Sequence, residues 1–207
     1  MTRIILVRHG QTIWNVEKKY QGHSDIGLTE TGLHQARQVA EGLTKEEIDA
    51  VYASDLSRAY KTAEFIAALR GLQVISVPEL REIKFGEWEG LTYDQIMLKW
   101  PHIMGKLWAC PDEVEIPGGE TFRQLKARAH AAMQRIVAAH PEETVVVVSH
   151  GGTIRTILCA ILDIHLNNIW SIRQDNTAVN IIDYLHGRPV VALVNDIHHL
   201  DHLDIEE

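Results

Sequence analysis

Cysteine is nearly absent from the 207-residue sequence, with only Cys110 and Cys159 and no paired-thiol spacing. A disulfide framework is therefore excluded, a thiolate metal site is not indicated, and a reducing compartment is the expectation. Long apolar runs are missing too. Ile4-Ile5-Leu6-Val7 is too short for a signal peptide's apolar segment, and no window reaches the roughly 18 apolar residues of a membrane span. These features lead us to expect a cytoplasmic protein with no membrane partner. Positive charge is in deficit: 20 Lys and Arg face 28 Asp and Glu, for a formal net charge of -8. Such an exterior repels phosphate backbones, so no nucleic-acid partner is expected, and any anionic ligand needs a local cationic site.

What is present is ordinary for a globular chain: 45% hydrophobic and 23% charged residues. The length fits a single domain over residues 1-207 with room for an inserted lid. Ile4 to Val7 reads as a strand buried on both faces, ending at Arg8-His9-Gly10. Thr29 to Gly42 follows with helical spacing, then a strand at Ala50 to Ala53, a helix at Leu56 to Leu69 and a strand at Val74 to Val77. Residues 91 to 118, broken by Pro101, Pro111 and Pro117-Gly118-Gly119, read as an insertion and lid, with one short helix at Thr92 to Trp100. Thr121 to Ala139 is a strong helix, Thr144 to Val148 an apolar strand, and Thr153 to Leu162 a helix after a Gly151-Gly152 turn. Ala178 to Leu185 and Pro189 to Val194, joined by His186-Gly187-Arg188, predict a terminal hairpin. The alternation predicts an α/β three-layer sandwich with a mostly parallel central sheet and an antiparallel edge.

Ligands of open parallel sheets gather at the carboxyl ends of the strands, so the polar residues placed there are the candidates. They are Arg8 and His9, then Ser54-Asp55 with Arg58 one turn further, then Arg81-Glu82, then Ser149-His150-Gly151-Gly152. Each alone has a plain alternative: a satisfied core histidine, a solvated helix arginine, a Glu82 paired with Arg81, a glycine turn. Together they gain weight, because His9 and His150 each end an apolar strand and precede glycine, where backbone approaches a ligand closely. Two imidazoles among guanidinium groups suit a phosphate better than a metal, since nearby arginines repel cations and lower histidine pKa values. Arginine forks match phosphate oxygens, an imidazole nitrogen attacks phosphorus, and a carboxylic acid protonates the departing alkoxide.

These motifs resemble the histidine phosphatase superfamily, also called the phosphoglycerate mutase-like family. The resemblance runs through Arg8-His9-Gly10-Gln11-Thr12 with Asn15, Asp25 with Leu28-Thr29-Glu30-Thr31-Gly32, and Ser54-Asp55-Leu56-Ser57-Arg58-Ala59. It continues with Leu80-Arg81-Glu82, Gly86-Glu87-Trp88-Glu89-Gly90 and Ser149-His150-Gly151-Gly152, so it covers nearly the whole chain. It implies that His9 is phosphorylated during turnover, that Arg8, Arg58, His150, Asn15 and Gly151 bind the phosphate, and that Glu82 donates and retrieves a proton. It implies neither metal nor other cofactor. Gly27 departs from the proline many relatives carry before the Leu-Thr pair. Leu80-Arg81-Glu82 with Phe85-Gly86-Glu87-Trp88 is similar to the small-phosphatase branch, which implies hydrolysis of a small phosphorylated metabolite rather than mutase activity.

Within that branch the sequence resembles α-ribazole phosphatases, broad-specificity phosphatases and metal-independent phosphoserine phosphatases. Phosphoserine phosphatase, phosphoglycerate mutase and a silent phosphate-binding module remain the alternatives, and a homodimer is compatible with the sequence. Phe85, Trp88, Tyr93, Met97, Met104, Leu107 and Trp108 offer an apolar wall for a ring-bearing leaving group, or plain core. Asp175-Asn176-Thr177 contacts substrate or caps a turn. His198, His199 and His202 read as a solvated tail, with His198 approaching the pocket if the phosphoserine resemblance extends that far.

Overall fold

A computed structural model describes residues 1-200. Its six strands lie in the order β3-β2-β4-β1-β5-β6. The chain begins with β1 (Thr2–Arg8), a single-turn helix α1 (Ile13–Val16) and α2 (Glu30–Gly42). It continues through β2 (Ala50–Ala53), α3 (Ser57–Ala68) and β3 (Val74–Ser76). Then come α4 (Tyr93–Lys99), α5 (Pro101–Ala109) and the long α6 (Phe122–Ala139). The last elements are β4 (Thr144–Ser149), α7 (Gly151–Ile161), β5 (Val179–Leu185) and β6 (Arg188–Asp196).

Side chains of a strand alternate between faces, and β1 shows why a continuous apolar run is needed at the centre of this sheet. Ile4 and Leu6 join Ala129, Met133 and Ile136 of α6 and Ile154 and Ile157 of α7 on one face. Ile5 and Val7 join Val39 of α2 and Ala59, Ala63 and Ile66 of α3 on the other. Val145 and Val147 against Val146 and Val148 divide in the same way. The sheet is parallel from β3 through β2 and β4 to β1. Its antiparallel pairing is confined to the β5-β6 side, where β5 pairs β1 and β6 pairs β5. His186 and Gly187, at φ 50° and 78°, make the tight turn of that hairpin.

Residues 91 to 118 hold more helix than the proline pattern predicts. Pro101 opens α5 instead of ending structure, because its fixed φ and missing N–H suit a helix's first position. Trp88, Ile96, Met104 and Leu107 form a third buried cluster with Phe122, Leu125 and Ile169, which anchors this segment to α6 and the chain after α7. Likewise α7 starts at Gly151 and not at Thr153, since partners at its amino end let the helix begin directly after β4. Cys110 and Cys159 are free, and no helix among the described residues is long and apolar enough to cross a membrane.

Candidate active site

The carboxyl ends of β1 and β4 are adjacent, with Arg8 opposite Ser149 in the parallel register. That pairing brings His9 and His150, each one residue further on, to a ring-centroid distance of 5.1 Å. Both rings are on the same side of the strand ends, although they come from positions 141 residues apart in sequence. Arg8, His9, Asn15, Arg58 and Glu82 line one cleft of about 470 Å³. Gly151 begins α7 beside it, and a Cβ added there would stand 3.4 Å from Arg8 Nε.

The polar bonds of these residues stop short of saturating them. Arg8 donates through one terminal nitrogen to Gln174 O at 2.6 Å. Arg58 donates to Ser24 O and Gly22 O at 2.9 and 2.8 Å. Arg8 Nε, Arg58 Nε and both ring nitrogens of His150 are buried and make no hydrogen bond among the described residues. Buried polar nitrogens are seldom left so, and donors gathered at one place are what an anion site requires. His9 Nδ1 lies 2.7 Å from Gly10 O. A carbonyl accepts, so Nδ1 carries the proton and Nε2 keeps its lone pair.

Electrostatics follow from burial. His9 is held well below the ordinary 6.5, first by desolvation and then by Arg58 and Arg8. His150 is lowered likewise by desolvation, then Arg58, His9 and Arg8. Desolvation brings Arg8 and Arg58 down to about 10, aided at Arg8 by the neighbouring Arg155. At neutral pH the site thus holds two uncharged imidazoles between two cationic guanidinium groups.

Glu82 meets the amino end of α7. Its carboxylate accepts from Gly152 N at 3.0 Å, Thr153 N at 3.1 Å and its neighbour Ile83 N at 2.9 Å. Arg81 does not pair with it; Arg81 Nε donates instead to Asp55 Oδ1 at 2.7 Å. Arg128 secures the loop by donating to the carbonyls of Glu79, Arg81 and Glu82. Asn15 uses its side-chain oxygen to accept from Thr12 N at 3.0 Å, which caps α1.

The aromatic wall divides. Phe85, Tyr93 and Trp108 line the cleft, whereas Trp88, Met104 and Leu107 are core. Asn176 donates to His9 O at 3.1 Å, so this turn braces the histidine loop. His198 does not approach the cleft: it is exposed and bonded to Asp196, while His199 turns inward to Thr177 at 3.2 Å. His202 lies outside the described residues. Sequence reasoning missed Lys18, Lys19, Tyr20 and Gln21 in the lining, although they closely follow the Arg8-to-Asn15 motif. It also missed Arg155, four residues after Gly151 and so on the same face of α7. Among the described residues no group of three or more His, Cys, Asp or Glu side chains is placed to hold a metal ion.

Imidazole and guanidinium nitrogens without acceptors gather at the carboxyl end of the parallel strands, an arrangement suited to an anion. The chain belongs to the histidine phosphatase superfamily, branch 1, whose family model matches residues 4–197. It is 35% identical over 206 residues, all of this chain and 98% of the relative, to "Phosphoserine phosphatase 1" of Hydrogenobacter thermophilus. Among solved structures, Bacillus stearothermophilus YhfR superposes with a TM-score of 0.93 at 37% identity, covering 96% of this chain and 99% of that one. A putative alpha-ribazole-5'-P phosphatase from Escherichia coli gives 0.87 at 27% identity, covering 94% and 96%. The chain is accordingly a phosphoric monoester hydrolase of the phosphoglycerate mutase-like fold.

Proposed function

We propose that the protein hydrolyses phosphomonoesters of small metabolites through a phosphohistidine on Nε2 of His9. The observation that carries this reading is the 2.7 Å contact of His9 Nδ1 with Gly10 O, which assigns the proton to Nδ1 and frees Nε2 beside the unsaturated nitrogens of Arg8, Arg58 and His150. His9 Nε2 attacks phosphorus and forms the P–N bond as the ester P–O bond breaks. Arg8, Arg58 and a neutral His150 donate to the phosphoryl oxygens, with the Asn15 amide and the backbone at Gly151 adding further donors. Glu82 passes a proton to the leaving oxygen. Water then attacks the phosphohistidine, its proton goes to Glu82, the P–N bond breaks and inorganic phosphate leaves with His9 neutral again. Phosphate-monoester hydrolysis is among the slowest uncatalysed reactions, so stabilisation of the transferring group by fixed donors is the main demand on the site.

The leaving group lies along Tyr20, Phe85, Tyr93 and Trp108, a wall that suits a ring-bearing alcohol such as that of α-ribazole phosphate. Phosphoserine is the second reading. It is supported by the phosphoserine phosphatase among the relatives and by Lys18 at the cleft, which complements a carboxylate, whereas the neighbouring Lys19 is paired with Glu17 at 2.8 Å. Hydrolysis is preferred to mutase action, and release of inorganic phosphate rather than isomerised phosphoglycerate separates the two. The deciding experiment is a quench of turnover with phosphorus-labelled ester. Acid-labile, base-stable label on wild-type protein and none on His9→Ala is expected. Full turnover with no such label overturns the covalent route, and a panel of α-ribazole phosphate, phosphoserine and 3-phosphoglycerate ranks the substrates.

A further inference from the structure

Gln174 and Asn180 are buried polar side chains that the chemistry above does not use, 2% and 0% exposed. They bond reciprocally: Gln174 Nε2 donates to Asn180 Oδ1 at 2.7 Å, and Asn180 Nδ2 donates to Gln174 Oε1 at 2.9 Å. Two amides so paired satisfy each other in a way no apolar neighbour does, which fixes their relative position. Asn180 is itself fixed from both sides of β5. It donates to Leu6 O of β1 at 3.0 Å and accepts from Asn195 N of β6 at 3.0 Å. Gln174 is thereby tied to the rigid sheet although it lies in an irregular segment.

The backbone oxygen of Gln174 is the acceptor for Arg8, at 2.6 Å. Two residues on, Asn176 donates to His9 O, and Thr177 N donates to the same oxygen at 3.3 Å. The other side of the segment is held by Arg155, whose Nε donates to Ile172 O at 2.7 Å. Residues 172 to 177 thus form a strap behind Arg8 and His9 that meets the sheet at the amide pair and again at Asp175, whose N–H donates to Asn195 Oδ1 of β6 at 2.7 Å while Asn195 Nδ2 donates to its carboxylate at 2.8 Å.

We propose that the Gln174–Asn180 pair is a positioning device for Arg8. It fixes the carbonyl of Gln174, that carbonyl fixes one terminal nitrogen of the guanidinium, and the planar fork then presents the unbonded Nε to the cleft. This rests on the reading that Arg8 holds the transferring phosphoryl group. Gln174 and Asn180 touch no substrate and act only through Arg8. A guanidinium free to swing still binds phosphate, but it is less well aligned with the charge that develops during transfer.

The test is a double-mutant cycle of Gln174→Met with Arg8→Met, reading kcat, KM and inhibition by orthovanadate well below the melting temperature. Gln174→Met is expected to lower kcat and weaken vanadate about tenfold or more, with a smaller change in KM. Combined with Arg8→Met it should add almost nothing to the loss from Arg8→Met alone. Additive losses, or wild-type kcat and vanadate binding in folded Gln174→Met, overturn the positioning role. An Arg8→Met protein that keeps full kcat overturns instead the reading of Arg8 itself. If Gln174→Met does not fold because it strands the Asn180 amide, Asn180→Leu is added to remove that amide, and the cycle is run on the double replacement with the same two outcomes.

Discussion

Gly152 and Glu82 are in closer contact than a residue with a side chain would permit without a shift of the carboxylate: the Gly152 N–H donates to the Glu82 carboxylate at 3.0 Å, and a Cβ built on Gly152 would stand 2.6 Å from Glu82 Oε1. The clash is with the end of a side chain, so Gly152→Ala relieves it by moving the carboxylate and leaves the backbone in place. Alanine is the better helix former by about 1 kcal/mol, which offsets the weakened contact and keeps the melting temperature near wild type. Hydrolysis of alkyl phosphates is expected to fall roughly ten- to a hundredfold, on the scale of a small misplacement of a catalytic group. Wild-type alkyl phosphatase activity in this variant would show that the position of Glu82 does not matter.

Glu82→Gln keeps one oxygen, which serves the N–H groups of Thr153 and Ile83, sets its NH2 against the Gly152 N–H that the second carboxylate oxygen accepts from, and cannot release a proton. An alkoxide leaving group needs that proton far more than a nitrophenolate does. Loss of a general acid typically costs about 10²–10⁴-fold. A fall in this range is expected for phosphoserine and other alkyl esters, with a much smaller one for p-nitrophenyl phosphate. Steady-state kinetics on both substrates decide it, and equal losses would count against the acid role.

His9→Ala removes the proposed nucleophile from a buried position, 3% exposed, while leaving β1 and its register untouched. Activity should drop at least about a thousandfold, roughly 4 kcal/mol in the barrier, with circular dichroism unchanged. A folded His9→Ala protein with near-normal turnover would falsify the nucleophile assignment.

The parts of the fold readable from sequence were those governed by local pattern. The unbroken apolar run of β1 and β4 signalled strands buried on both faces, and the two histidine-glycine endings placed His9 and His150 at one end of them. Proline and glycine were harder, since their meaning depends on what adjoins them. Pro101 begins a helix because the turn before it is compatible, and Gly151-Gly152 is helix because Glu82, some seventy residues earlier, occupies the amino end. The aromatic wall could not be split in advance, because whether Trp88 or Trp108 faces the cleft is settled by packing against Phe122 and Trp170. Gln174 and Asn180 carry no local signal, because their pairing exists only once β5 lies between β1 and β6.

The depressed histidines give stability a definite pH dependence. His9 and His150 are lowered below 6.5 in the folded protein, chiefly by desolvation. As pH falls through 6.5 the unfolded chain takes up protons on both imidazoles while the folded chain does not. Between 6.5 and the lower folded values the unfolded state therefore binds more protons, so their contribution is fully present above 6.5 and is lost on acidification. His198 has the opposite sign, raised by Asp196, but it is exposed and its contribution is screened by solvent. Thermal unfolding in phosphate-free buffer from pH 7.5 to 5 should show the melting temperature falling below 6.5, and falling less steeply in His150→Gln, which lacks one of the two groups. Turnover should hold its neutral-pH rate to below pH 6.5, since both imidazoles stay uncharged there. A steeper or unchanged slope in His150→Gln would mean that His150 is protonated in the folded protein, and a neutral donor to the phosphoryl group would have to be sought elsewhere.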